Sequence, residues 1–113
     1  MTGARASRIA EKFAELRAAG KKALVIFVTG GDPDVETTVK LVPELFRAGA
    51  DIVEIGVPFS DPLADGPVIQ QSFARALRGG ATLKGLLAAA KRIRGVADGP
   101  LVFMSAYNLA FHH

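Results

Sequence analysis

Apolar positions along this chain switch between two periods, and the switching sets the order of elements. Ile9, Phe13 and Leu16 recur every three to four residues, with Ser7 ahead as a cap and Gly20 just past the end, which predicts a first helix. Ala23 to Thr29 is a continuous apolar run, typical of a parallel strand covered on both faces. Gly30-Gly31-Asp32-Pro33 turns the chain, and Asp32 or Asp34 caps a second helix with Pro33 in its first turn. Val35, Val39, Val42 and Phe46 form that helix's buried stripe and Gly49 ends it. Pro43, inside the pattern, predicts a kink or a lost hydrogen bond.

The second strand follows at Ile52 to Val57, rich in β-branched residues that pack well on a pleated surface. Strict alternation puts Val53, Ile55 and Val57 on one face and Ile52, Glu54 and Gly56 on the other. Pro58, Pro62 and Pro67 then stiffen a long loop, of a length that is more often functional than accidental. Pro67 opens a helix carrying Ile69, Phe73 and Ala76 or Leu77 inward, and Gly79-Gly80 breaks it. Thr82 caps a further helix with Leu83, Leu86, Leu87, Ala90 and Ile93 on one side. Gly99-Pro100 introduces a third strand, Leu101 to Met104. The order α, βα, βα with an extra helix, β argues an α/β fold with a parallel sheet and right-handed crossovers, in a single domain over 1–113.

Composition narrows the function classes. Hydrophobic residues make up 50% of the 113, enough for one core. The absence of cysteine removes disulfide and thiolate chemistry and fits a reducing, cytoplasmic compartment. No apolar run approaches the ~20 residues of a membrane span, and no apolar segment follows Arg5 and Arg8, so neither a membrane anchor nor a secretory signal is expected. The net charge is +3, spread over helix surfaces at positions such as Lys12, Arg17, Lys40, Arg47, Arg75 and Arg92, a solvated exterior rather than a nucleic-acid footprint. Gly80 and Gly85 have the spacing of a phosphate-gripping loop, but Leu86 and Leu87 stand where Lys and Ser or Thr are needed. His112-His113 supplies too few ligands for a metal site.

The candidate chemistry centres on Glu54, a carboxylate inside an apolar strand. Buried and unpaired, it would have its pKa raised, which suits a general acid or base near neutrality. On an exposed stretch it would be a solvated side chain, and the strand alone leaves both readings open. Asp61 and Asp65, in the proline-rich loop, add two carboxylates just beyond it.

Phe27-Val28-Thr29-Gly30-Gly31-Asp32-Pro33 and the long string Glu54-Ile55-Gly56-Val57-Pro58-Phe59-Ser60-Asp61-Pro62-Leu63-Ala64-Asp65-Gly66-Pro67-Val68-Ile69-Gln70 resemble the tryptophan synthase alpha subunit family. Met104-Ser105-Ala106-Tyr107-Asn108 resembles the family's third-strand end more loosely, because an aromatic is usual where Ala106 stands. The similarity runs along the whole chain but covers only the family's N-terminal portion. The resemblance implies a parallel (β/α)8 TIM barrel, which takes roughly 250 residues, so this chain holds roughly the first three βα units. It also implies aldol cleavage of indole-3-glycerol phosphate to indole and glyceraldehyde 3-phosphate, with no metal or organic cofactor.

Carried over residue by residue, the resemblance makes Glu54 the proton-transferring glutamate and Asp65 the acceptor of the indole N–H. Phe27, Ile69 and Met104 become apolar walls of the substrate pocket. Pro58, Asp61 and Asn108 fall where the family faces its partner, the tryptophan synthase beta subunit of an α2β2 assembly. Phosphate in such barrels is held by loops after strands seven and eight, which three units do not include. Two readings therefore stand side by side: a carbon–carbon lyase whose activity these units alone are not expected to sustain, and a non-catalytic module that docks on the beta subunit. Another phosphate-sugar barrel lyase is the third reading. In the barrel, the lumen face is expected around Ile26, Ile52 and Phe103, with the strand register left open.

Overall fold

The computed structural model describes residues 7–60 and 65–105. Helix α1 (Arg8–Ala19) is followed by β1 (Val25–Thr29), α2 (Val35–Ala48), β2 (Ile52–Gly56), α3 (Pro67–Arg78), α4 (Leu83–Arg94) and β3 (Leu101–Met104). The strands form one parallel sheet in the order β1-β2-β3. No described helix is long and apolar enough to cross a membrane.

Helix ends are set by the local chemistry that the sequence carries. The Ser7 hydroxyl accepts from Ala10 N–H and the Thr82 hydroxyl from Gly85 N–H, each satisfying a donor the helix leaves orphaned. Gly20 takes the left-handed conformation, φ 68°, that closes α1. Of the two candidate caps for α2, Asp34 is the one used, accepting from Thr37 N–H at 2.7 Å. Pro33 accordingly lies ahead of the cap rather than in the first turn, and α2 runs on through a buried Pro43.

In a parallel ladder, residues in register share a face. Val25, Phe27 and Thr29 pair with Ile52, Glu54 and Gly56, and the last two pair with Val102 and Met104. The opposite face carries Val28, Val53, Ile55, Leu101 and Phe103. These pack with Val42 and Ile93 into the main core, with Leu45, Phe46 and Ala97 around them. Helices α2 and α4 supply that cover. Val53, Ile55 and Ile93 are at most 1% exposed.

Two expectations change here. β1 is not covered on both faces: Val25 and Phe27 are 42% and 37% exposed on the Glu54 face, while Ile26 and Val28 are half-buried. Of the three residues expected to face the lumen, only Ile52 lies on the Glu54 face; Ile26 and Phe103 register with Val53 and Ile55 on the helix side. Helix stripes shift as well. In α1 only Leu16 is buried, because this helix lies beside the segment leading into β3 instead of over the sheet. In α2 the buried residues are Thr38, Val42 and Pro43, and α4 turns Leu87 outward and Ala89 inward.

Candidate active site

The C-terminal ends of the three strands open on a cleft of about 160 Å³ lined by Phe27, Gly56, Phe59, Asp65, Phe73, Met104 and Ser105. β1 supplies Phe27, β2 supplies Gly56 and β3 supplies Met104, all on the face that α2 and α4 leave open. Gly56 is required by a close approach: a Cβ there would stand 2.6 Å from the Phe27 ring. The Phe59 and Phe73 rings meet edge to face with centroids 5.4 Å apart, closing the side under α3.

Asp65 reaches the cleft because it immediately precedes α3, whose cap position is Gly66 and whose first residue is Pro67. Its backbone carbonyl accepts from Gln70 Nε2 at 2.7 Å, which folds the loop end back onto the helix. A carboxylate at this end of a helix also sits favourably against the helix dipole. Glu54 is half-buried and occupies the same face two residues below Gly56, flanked in register by Phe27 and Val102. Among the described residues no group donates a hydrogen bond to its carboxylate and none pairs with it. Glu54 thus sits in the middle of β2 on the face that carries the cleft, and Asp65 in the cleft itself. Among the described residues no three His, Cys, Asp or Glu side chains gather as metal ligands would.

The structure therefore brings Phe27, Asp65 and Met104 to one cleft; Glu54 lies on the same face of the sheet but is not part of the cleft's lining. It does not place Ile69 in the lining; that residue is half-buried on α3 and its carbonyl accepts from the Ser72 hydroxyl. Pro58 is buried behind the end of β2. Asp61 and Asn108 lie outside the described residues. Gly56, Phe59, Phe73 and Ser105 were not foreseen, although a lone glycine between Ile55 and Val57 in an apolar strand is itself a sign of close backbone approach. Two larger clefts, of about 270 and 290 Å³, lie around Arg8 and Pro100 beside the start of β3, away from both carboxylates.

The family model described as the tryptophan synthase alpha chain matches residues 13–113. The chain belongs to this family. A tryptophan synthase alpha chain of a Geobacter species is 56% identical over 105 residues, covering 93% of this chain and 39% of the relative. One from Clostridium kluyveri is 51% identical over 107 residues, covering 95% and 41%. The crystal structure of tryptophan synthase subunit alpha from Legionella pneumophila superposes with a TM-score of 0.93 at 37% identity, over 96% of this chain and 42% of that one. A crystal structure of tryptophan synthase from M. tuberculosis, in its aminoacrylate-bound form, gives 0.87 at 38% identity over 95% and 43%. The chain spans about two-fifths of the length of the curated relatives it matches. Its parallel strands and their helices are the first units of the family's TIM barrel, and the match is to the family's N-terminal portion.

Proposed function

We propose that residues 1–113 form a single domain, the N-terminal part of a tryptophan synthase alpha barrel, carrying the acid–base pair for aldol cleavage of indole-3-glycerol phosphate to indole and glyceraldehyde 3-phosphate. The observation that carries this reading is the cleft at the strand ends in which Asp65 meets Phe27 and Met104, where parallel barrels build their sites, with Glu54 half-buried lower on the same face of β2. In this reading protonated Glu54 gives its proton to carbon 3 of the indole ring. The carboxylate so formed takes the proton of the glycerol hydroxyl as the carbon–carbon bond breaks, its electron pair returning to the ring and the hydroxyl carbon becoming the aldehyde. Asp65 accepts the indole N–H and steadies the positive charge that develops on the nitrogen. A group so positioned contributes about 10²–10⁴-fold to the rate.

The reading also makes this a lyase of tryptophan biosynthesis in the cytoplasm, with the beta subunit as partner through the region of Asp61 and Asn108, Pro58 itself being buried. Family membership supports both points. Remote binding energy from the substrate phosphate, which helps drive the reacting centre, needs residues beyond these units. The test is a completed barrel, in which residues 1–113 are joined to the remainder of the Geobacter relative. That protein is expected to release indole; Glu54→Gln is expected to abolish release with the fold intact, and Asp65→Asn to weaken it less. Near-normal turnover by the Glu54→Gln barrel would overturn the assignment.

A further inference from the structure

Helix α3 carries two of the cleft's walls, Asp65 at its leading end and Phe73 on its inner side, yet it does not lie in the layer that α2 and α4 form against the sheet. Its seat is the end of β1 and the loop that follows. Two side-chain links hold it there, and both join residues 43 positions apart. The first is buried: Thr29 Oγ1 and Ser72 Oγ stand 2.6 Å apart. Ser72 already donates its one hydrogen to the Ile69 carbonyl, so Thr29 is the donor between them.

The second link is a two-pronged ion pair. Arg75 Nε and Nη2 donate to the two oxygens of Asp32 at 2.9 and 3.0 Å, the fork geometry that fixes orientation as well as distance. The Asp32 side chain is only 18% exposed, against 47% for Arg75. The pair holds the Arg75 pKa above its ordinary value, chiefly through the hydrogen bonds to Asp32. Asp32 cannot follow a moving helix, because its loop is pinned in turn: Gly31 N–H donates to Thr38 Oγ1 of α2 at 2.8 Å. Around the pair the backbones touch. A Cβ on Gly31 would stand 2.6 Å from Ala81 Cβ, and one on Gly79 would collide with the Pro33 carbonyl.

We infer that Arg75 is a positioning residue: through its bidentate pair with Asp32 it sets where α3 sits on the β1 end, and so where the Asp65 carboxylate meets the indole nitrogen. The inference rests on the role of Asp65 proposed above. Arg75 itself does not line the cleft. Its removal acts through Asp65 and Phe73, and a displacement on the scale of an ångström is enough to weaken a site of this kind.

The test uses the completed barrel and two probes, indole and N-methylindole, which cannot donate to a carboxylate. The parent barrel is expected to bind indole about tenfold or more tightly than the methylated ring, the value of a hydrogen bond to a charged acceptor. In Arg75→Ala that preference is expected to fall below about threefold, close to Asp65→Ala, with kcat reduced by about tenfold or more. Arg75→Lys, which keeps the charge but loses the fork, is expected to fall between. Asp32→Asn is expected to match Arg75→Ala, with the double variant no worse than either single one. A parent barrel with neither the preference nor lyase activity would overturn the proposed function and this inference with it. A parent with both, beside an Arg75→Ala barrel that keeps both, would overturn this inference alone. Should Arg75→Ala fail to fold, the Lys and Asn variants decide: unchanged preference in both overturns the inference, and reduced preference in both upholds it.

Discussion

The two faces of the three-stranded sheet are built from the same kinds of residue and do opposite things. On one, Val53 and Ile55 are sealed under α2 and α4 by Val42 and Ile93. On the other, Val25, Phe27 and Met104 stand 42%, 37% and 50% exposed around a half-buried Glu54. The covered face is a core and resists change because dense packing has little room to relax. The open face carries the cleft lined by Phe27, Gly56 and Met104. One alternating strand, β2, serves both, and a one-residue slip in register would exchange them.

The largest expected effect tests whether the open face is open in solution. Among the described residues nothing partners this face or the two sheet edges, and uncovering about 400 Å² of apolar surface forfeits about 10 kcal/mol at ~25 cal/mol per Å². That rivals the ~5–15 kcal/mol net stability of an ordinary domain. Residues 1–113 by themselves are therefore expected to self-associate or to exchange their strand amides quickly, and to show no lyase turnover. Sedimentation equilibrium with hydrogen exchange checks this; a monomer protected in all three strands would break the contrast between the faces.

Next in size are substitutions at neighbouring positions on β2. In the completed barrel, Ile55→Ala is expected to cost about 2–5 kcal/mol of stability, since it empties a site 1% exposed, while sparing kcat in the molecules that remain folded. Glu54→Gln is expected to do the reverse, lowering kcat by about 10²-fold or more with a nearly unchanged Tm. Thermal melts and turnover measured on the same samples separate the two. Equal effects of both substitutions on both readouts would mean that the faces are not functionally distinct.

A smaller effect sits where the open face is most crowded. Gly56→Ala drives a methyl into the Phe27 ring, and overpacking of this kind costs about 1–3 kcal/mol. Indole affinity is expected to fall with it, because the ring that must move is a cleft wall. Indole titration beside a denaturant melt checks both halves.

The smallest effect belongs to the covered side. The Asp34 carboxylate accepts from both the amide and the hydroxyl of Thr37, and these bonds hold its pKa below the ordinary 3.8. A carboxyl lowered on folding contributes stability that is present above its unfolded pKa and lost as pH falls through its folded one. Asp34→Asn keeps a helix cap but cannot titrate. The stability gap between the two proteins is therefore expected at neutral pH and to close below about pH 3.8. A gap independent of pH, read from melts at several pH values, would remove the ionised cap from the account.

Much of the fold is legible without coordinates. Ser7, Gly20, Gly49 and Thr82 mark helix ends because capping is a contact between near neighbours in the chain. The separation of Glu54 from Val53 and Ile55 follows from the period of a strand alone. Family membership is legible too, in the run from Glu54 to Gln70. Ambiguity entered wherever two neighbours offered the same chemistry. Asp32 and Asp34 are both acceptable caps; only the fold shows that Asp34 caps α2 while Asp32 is taken by Arg75.

By itself, then, the sequence determined the elements, their order, their ends and the opposition of Glu54 to its neighbours, all consequences of short-range sterics and hydrogen bonding. Which face of the sheet became core was a tertiary decision. Period-two alternation makes two apolar faces on β1 alike, and the seating of α2 and α4 breaks that symmetry, sending Ile26 and Phe103 to the core side and leaving Phe27 and Met104 at the cleft. The seat of α3 was decided there as well. Its links to Thr29 and Asp32 span 43 residues, a separation over which no local pattern carries information, and those links bring Asp65 and Phe73 to the strand ends.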